Sequence, residues 1–320
     1  MSTEPGAIQM IENLSPFSAD LVPSFDAKGH AQTIIIVKGT FDLRGRLRPP
    51  SKAAPIWTGD VYFDGAEYPE YTVRFEADWA PAKPLTDVIV NGHAYAPTGR
   101  PASHVDVGVQ VSGARPVLAR VFGPRYWSKR SGWALSSAQP ALRMPLASWM
   151  PMVDALTNGG ALQPASPVEW LDESSLTPDM QAVPAGFGTF SRIWLPRRKY
   201  AGSSAPSGRN LSAGLDGGMP PDFDERYWNC AHPKLQYARE SLQTGTEIRL
   251  VNMHHQGDVH VVLPSVPLAI SSLVTGRIEP ELDTVIIEAD EDQLILIWRH
   301  AVARTPMARM GLVAVHLSTD

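Results

Sequence analysis

A single cysteine, Cys230, in 320 residues excludes an intramolecular disulfide and any multi-cysteine metal site. Basic residues are never concentrated: no dense run appears beyond Arg197, Arg198 and Lys199, and the formal net charge is -5. That balance argues against a nucleic-acid partner, whose footprint is a basic patch or stripe. No apolar stretch approaches the roughly 18–20 residues needed to cross a bilayer. The opening MSTEPGAIQMIENLSPF carries Glu4 and Glu12 with no basic region ahead of an apolar core, unlike a secretory signal. A soluble, cytoplasmic protein with no membrane partner is expected. Absent too are a Walker A loop, GxGxxG, HExxH, GxSxG and an EF-hand loop. Gly186-Phe187-Gly188 has two glycines of a nucleotide loop but no Lys, and reads as a turn.

What is abundant is turn chemistry. The 29 Pro and 25 Gly punctuate short apolar segments, the layout of a mainly β protein with little helix. Thr33–Val37 is a continuous β-branched run. Tyr71–Trp79 alternates strictly, with Tyr71, Val73, Phe75, Ala77 and Trp79 on one face and Thr72, Arg74, Glu76 and Asp78 on the other. Trp57–Phe63, Asp87–Val90 (ended by the hairpin signal Asn91-Gly92), Val105–Val111 and Val117–Phe122 complete a set of strands expected to form a β-sandwich or open barrel.

Three regions are expected: an N-terminal β lobe over 1–123, a Pro- and Ser-rich irregular linking segment over 124–182, and a C-terminal β lobe over 183–320. Leu146–Leu156 is a candidate short helix interrupted by Pro151, and 202–221 is a second irregular stretch. In the C-terminal region strands are expected at Glu247–Met253, Val259–Leu263, Leu268–Val274, Thr284–Glu288, Gln293–Arg299 and Val313–Leu317. Thr284–Glu288 and Gln293–Arg299 are apolar on both faces, which predicts central, doubly covered strands. Asp222–Ala238 is the best helical candidate, with Asp222 or Asp224 as N-cap.

Chemistry-bearing clusters are few. His254, His255, Asp258 and His260 form the one candidate metal set: with a turn at Gln256–Asp258, His254 or His255 lies across from His260. A solvated hairpin end is the favoured reading of this cluster, so no metal and no cofactor are assigned. Cys230 and His232 are close in sequence, but a buried structural thiol is expected. Aromatics are more informative. Of nine Trp, several fall in or beside the irregular segments, and Trp133, Trp149 and Trp170 are candidate partner-binding anchors, because Trp is enriched in interface hot spots.

Several segments, in order, carry a resemblance: Leu14-Ser15-Pro16-Phe17, Asp26, Gly29, Val37-Lys38-Gly39-Thr40-Phe41, Lys83-Pro84, Thr86-Asp87-Val88, Gly92, Gly186-Phe187-Gly188, Trp194, Pro196-Arg197, Pro220-Pro221-Asp222-Phe223-Asp224, Gly245, Glu247, Leu263-Pro264, Leu282-Asp283-Thr284-Val285 and Trp298-Arg299. The chain resembles a bacterial domain-of-unknown-function family encoded in type VI secretion clusters. The resemblance implies a cytosolic adaptor or chaperone, not an enzyme, that binds a secreted effector (toxin) and helps load it on the spike or PAAR-tip protein. A metal-dependent hydrolase using the His254–His260 cluster and a structural component of a secretion or phage-like particle are the alternatives. The motif residues also have structural readings. Gly39 permits a bulge beside Lys38; Asp87 is placed to accept backbone N–H groups, with Lys83 near; Arg299 suits a bidentate partner such as Asp283.

Overall fold

Two runs of aliphatic residues, Thr33–Val37 and Leu294–Ile297, lie side by side at the heart of the molecule, inside the strands Ala31–Asp42 and Gln293–Ala303. The computed structural model describes residues 10–26, 28–65, 68–69, 72–81, 83–129, 133–147, 149, 162–172, 185–202, 219–272, 276–303 and 312–317. The fold is mainly β, in sandwich-like layers with little helix. A six-stranded sheet runs, edge to edge, through Gln236–Tyr237, Thr86–Asn91, Glu281–Glu288, Gln293–Ala303, Ala31–Asp42 and Ser18–Phe25. All pairings are antiparallel except Glu281–Glu288 with Thr86–Asn91. Thr284–Glu288 and Leu294–Arg299 are buried throughout, as residues apolar on both faces require.

A five-stranded antiparallel sheet runs through Val168–Trp170, Val117–Phe122, His104–Val111, Glu247–Val251 and Val259–Val262. Its alternation places Val105, Val107, Val109 and Val111 inward with Ile248, Leu250 and Val261. These side chains join those of the six-stranded sheet in one contiguous core. A four-stranded sheet links Met10–Asn13, Leu312–Leu317, Leu268–Ser272 and Gly276–Ile278.

Residues 123 and 183 do not separate these sheets. The hairpin Glu281–Ala303 is inserted between Ala31–Asp42 and Thr86–Asn91, so the six-stranded sheet draws strands from both expected lobes. The five-stranded sheet does likewise through Glu247–Val251 paired to His104–Val111. Nor is 124–182 a mere linker. It supplies the short strands Tyr126–Lys129, Trp133–Leu135, Arg143–Pro145, Gln163–Pro164 and Val168–Trp170. Most of the candidate helix Leu146–Leu156 and of the stretch 202–221 lies outside the described residues.

Three local expectations are corrected. Asp222–Ala238 is not one helix: Asp224 caps a single 3-10 turn, Glu225–Trp228, and Pro233 opens another, Pro233–Leu235. Between them the Cys230 and Ala231 amides donate to the Asp87 carboxylate instead of to helical carbonyls. Among the described residues of the alternation at 71–79, only Val73–Phe75 forms a strand, and beyond it Glu76 and Asp78 are drawn inward by buried cations. Asn91-Gly92 is not a hairpin turn. Gly92, at φ 129°, sends the chain on to His93–Tyr95, which pairs with Arg143–Pro145.

Candidate functional site

Lys38, Lys83, Asp87, Asp283 and Arg299 of the resembling motifs meet inside the core. Lys38 projects from the middle of a buried strand, yet Gly39 forms no bulge there; the ladder to Gln293–Ala303 is regular. Gly39 is required for space instead, since a Cβ would lie 2.7 Å from the Phe41 ring and 3.1 Å from that of Trp298. The Lys38 ammonium donates to Asp78 and to the Pro55 carbonyl, and it sits 3.2 Å from the Trp57 ring centre. Burial pulls the Lys38 pKa down to about 7 despite the opposing pull of Asp78.

From Asp78 the network continues. Arg299 donates through Nε to the Asp78 carbonyl at 2.9 Å and through Nη1 to Asp283. The Thr284 hydroxyl donates to Asp283 at 2.8 Å and accepts from Lys83 at the same distance. Lys83 donates to Asp87 at 2.7 Å, and Asp87 also accepts from the Cys230 and Ala231 amides and from Asn229. Lys38, Arg299 and Lys83 thus balance Asp78, Asp283 and Asp87, all at most 5% exposed. Such a set is tolerated in a core only because every charge is paired and hydrogen-bonded. Burial works against the charged Lys83, but Asp87 together with its other neighbours, Cys230 and Asp283, outweighs it and the pKa is raised.

A second group lies beside it. Arg197 grips Glu76 through Nη1 and Nη2 at 2.8 and 2.7 Å, and donates to the Tyr227 and Phe190 carbonyls. Arg192 reaches Glu76 at 2.9 Å. Burial raises the Glu76 pKa, but Arg197 and Arg192 outweigh it, so it stays below the usual carboxylate value. These contacts hold Phe190–Arg198 and Asp224–Trp228 together around Glu76. Their chemistry is cohesive: each charge faces a fixed partner.

Cys230 is the buried thiol expected, and burial pushes its pKa up to about 12, far from a nucleophilic thiolate. His232 has other partners. Its Nδ1 faces the Lys234 amide and its Nε2 faces the Trp170 indole N–H. Burial drives its pKa down to about 3.

The His254–His260 set is dispersed. His254, only 1% exposed, is no solvated hairpin residue; its Nε2 meets Asp292 at 2.9 Å. His260 pairs with Glu247, and Asp258 with Arg249. Arg249, not a histidine, lies across from His260. Among the described residues no group of three or more His, Cys, Asp or Glu is arranged to hold a metal ion.

The three tryptophan candidates fall in different settings, and no ring contact between any two of them is found among the described residues. Trp133 is 37% exposed at the rim of a small sheet, edge-on to Trp127. Trp149 is half-buried against Tyr68. Trp170 is 3% exposed, packed between Phe187 and His232; it is a core residue, which removes it as a surface anchor. Missed from sequence were exposed aliphatics of the same 124–172 stretch: Leu142, Leu162 and Leu171 are 54%, 62% and 47% exposed. Leu162 precedes Gln163–Pro164, which pairs with Tyr126–Lys129, which in turn pairs with Trp133–Leu135. Isolated leucines between prolines and polar residues carry no periodic signal.

Among the described residues no helix is long and apolar enough to cross a membrane. A family model described as an uncharacterized protein conserved in bacteria (DUF2169) matches residues 28–151 and 148–299. No curated protein and no solved structure matches the chain.

Proposed function

This chain belongs to the bacterial DUF2169 family, and we propose that it is a cytosolic adaptor, or chaperone, that binds a type VI secretion effector and helps load it on the spike or PAAR-tip protein. The observation that carries this reading is the contrast between the two ends of the chemistry. Lys38, Lys83, Asp87, Arg197, Asp283 and Arg299 of the motifs are spent inward, while the 124–172 stretch turns Trp133, Leu142, Leu162 and Leu171 outward. Exposed apolar groups on a rigid β frame suit recognition of another polypeptide. Trp133, in one small three-stranded sheet, and Leu162, just before its strand Gln163–Pro164, form the proposed contact with the effector, and Trp149 is a further candidate.

The test is co-purification with a toxin encoded beside the gene. Wild-type chain retains the toxin, and Trp133→Ala with Leu162→Ala reduces its yield while the β circular-dichroism signal is kept. Recovery of no neighbouring protein with the wild type defeats the adaptor reading. Undiminished recovery with the double variant defeats the surface assignment.

A further inference from the structure

The Pro220–Asp224 motif has no role in the scaffold's charge network, yet it is held in place with care. Arg197 ties down the Tyr227 carbonyl, and the Asp224 amide donates to the Tyr200 carbonyl. Gly202, at φ 84°, lets the chain pass so close that a Cβ would sit 2.6 Å from Asp222 Oδ1 and 2.9 Å from Pro220 Cβ. The result is a fixed aromatic wall: Phe223 packs against Tyr227 and Trp228, each with ring centres 5.8 Å apart. Facing it are the end of Ser18–Phe25 and Asp26.

Between them lies an open pocket of about 80 Å³, with Phe25, Met219, Phe223 and Trp228 as large apolar groups and Asp26 and Glu225 as the charged groups among the described residues that line it. Among the described residues, no Lys or Arg lines it. Its volume is well below the roughly 300–1,000 Å³ of pockets that enclose a cofactor or drug-sized ligand, and fits the end of one side chain. Aromatic faces attract a cation, and they do so more strongly when carboxylates stand nearby. Asp26 is already held by the Lys28 and His30 amides and the His30 ring. Glu225, exposed on the opposite side, is the carboxylate placed to meet an incoming charge.

We propose that this pocket receives a basic side chain, Arg or Lys, of the bound polypeptide, stacked on Phe223 and paired with Glu225. Its assignment to the effector rests on the adaptor reading above; the pocket's preference for a cation does not.

The experiment is a ligand-observed NMR titration of the full chain with Nα-acetyl-arginine amide and its neutral isostere Nα-acetyl-citrulline amide. The arginine compound is expected to bind about five- to tenfold more tightly than the citrulline compound, the range of a partly exposed cation–π contact plus one ion pair. Glu225→Gln and Phe223→Ala should each reduce that preference. Glu225 is exposed, so Glu225→Gln keeps the test decisive even where Phe223→Ala fails to fold. Equal binding of the two compounds overturns the proposal, as does an unchanged preference in Glu225→Gln. Selective binding of the arginine compound to a chain that retains no effector leaves the pocket assignment standing and the adaptor reading defeated.

Discussion

Lys83 and Asp87, four residues apart, meet at 2.7 Å inside the protein with side chains 3% and 0% exposed. Together they fix the start of the Thr86–Asn91 strand to the Asn229–Ala231 segment. Removing one member of such a pair leaves a buried charge uncompensated. Asp87→Asn is therefore expected to lower stability by about 3–5 kcal/mol, read from urea unfolding. Replacing both residues with apolar ones of similar size should recover part of that loss.

Trp298 ends the run of apolar residues on the central strand, 7% exposed, against Phe17 and over Gly39. Trp298→Ala is expected to cost about 3–5 kcal/mol. The reciprocal change, Gly39→Ala, forces a Cβ into the Phe41 and Trp298 rings and is expected to cost about 1–3 kcal/mol. A loss under about 1 kcal/mol for Trp298→Ala would contradict its burial.

How far sequence reveals this arrangement depends on how far apart the partners lie. The doubly apolar strands at 284–288 and 294–299 were legible, because local composition alone dictates cover on both faces. Asp87 was legible as an anchor, since Lys83 is near in sequence. The inward pairing of Glu76 and Asp78 was not legible, because the residues that draw them inward, Arg197 and Lys38, lie 121 and 40 positions away. The helix expected at 222–238 failed for the same reason: its amides answer to Asp87, 143 positions back. The interleaving of the two halves has no local signature at all, since strand order is a property of pairing and not of pattern.

His232 should make the protein acid-sensitive. Its folded pKa of about 3 lies below the ordinary 6.5, so the unfolded chain takes up a proton that the folded chain refuses. Both ring nitrogens face N–H groups, which leaves an imidazolium without an acceptor. The neutral ring's advantage is complete above pH 6.5 and declines as pH falls from there toward 3, by up to about 1.4 kcal/mol per pH unit. His232→Phe is expected to flatten that part of the stability–pH curve, measured by denaturant midpoints at pH 4, 5, 6 and 7.

Trp133 and Trp170 should separate cleanly. Trp133→Ala is expected to change stability by less than about 1 kcal/mol, whereas Trp170→Ala should cost about 3–5 kcal/mol. Thermal melts of the two variants decide whether the exposed ring, and not the buried one, is available for recognition.

The insertion of the Glu281–Ala303 hairpin between two earlier strands has a consequence for biosynthesis. The ribosome delivers Thr86–Asn91 roughly 190 residues before Glu281, an interval on the order of 10–40 s at ordinary elongation rates. Throughout that time Ala31–Asp42 can pair with Ser18–Phe25 on one side, but its other edge, rich in isoleucine, has no native neighbour. An open apolar edge of that length invites pairing with another nascent chain. The last hairpin to emerge is the keystone of the sheet, and the half-made protein is most vulnerable just before it arrives.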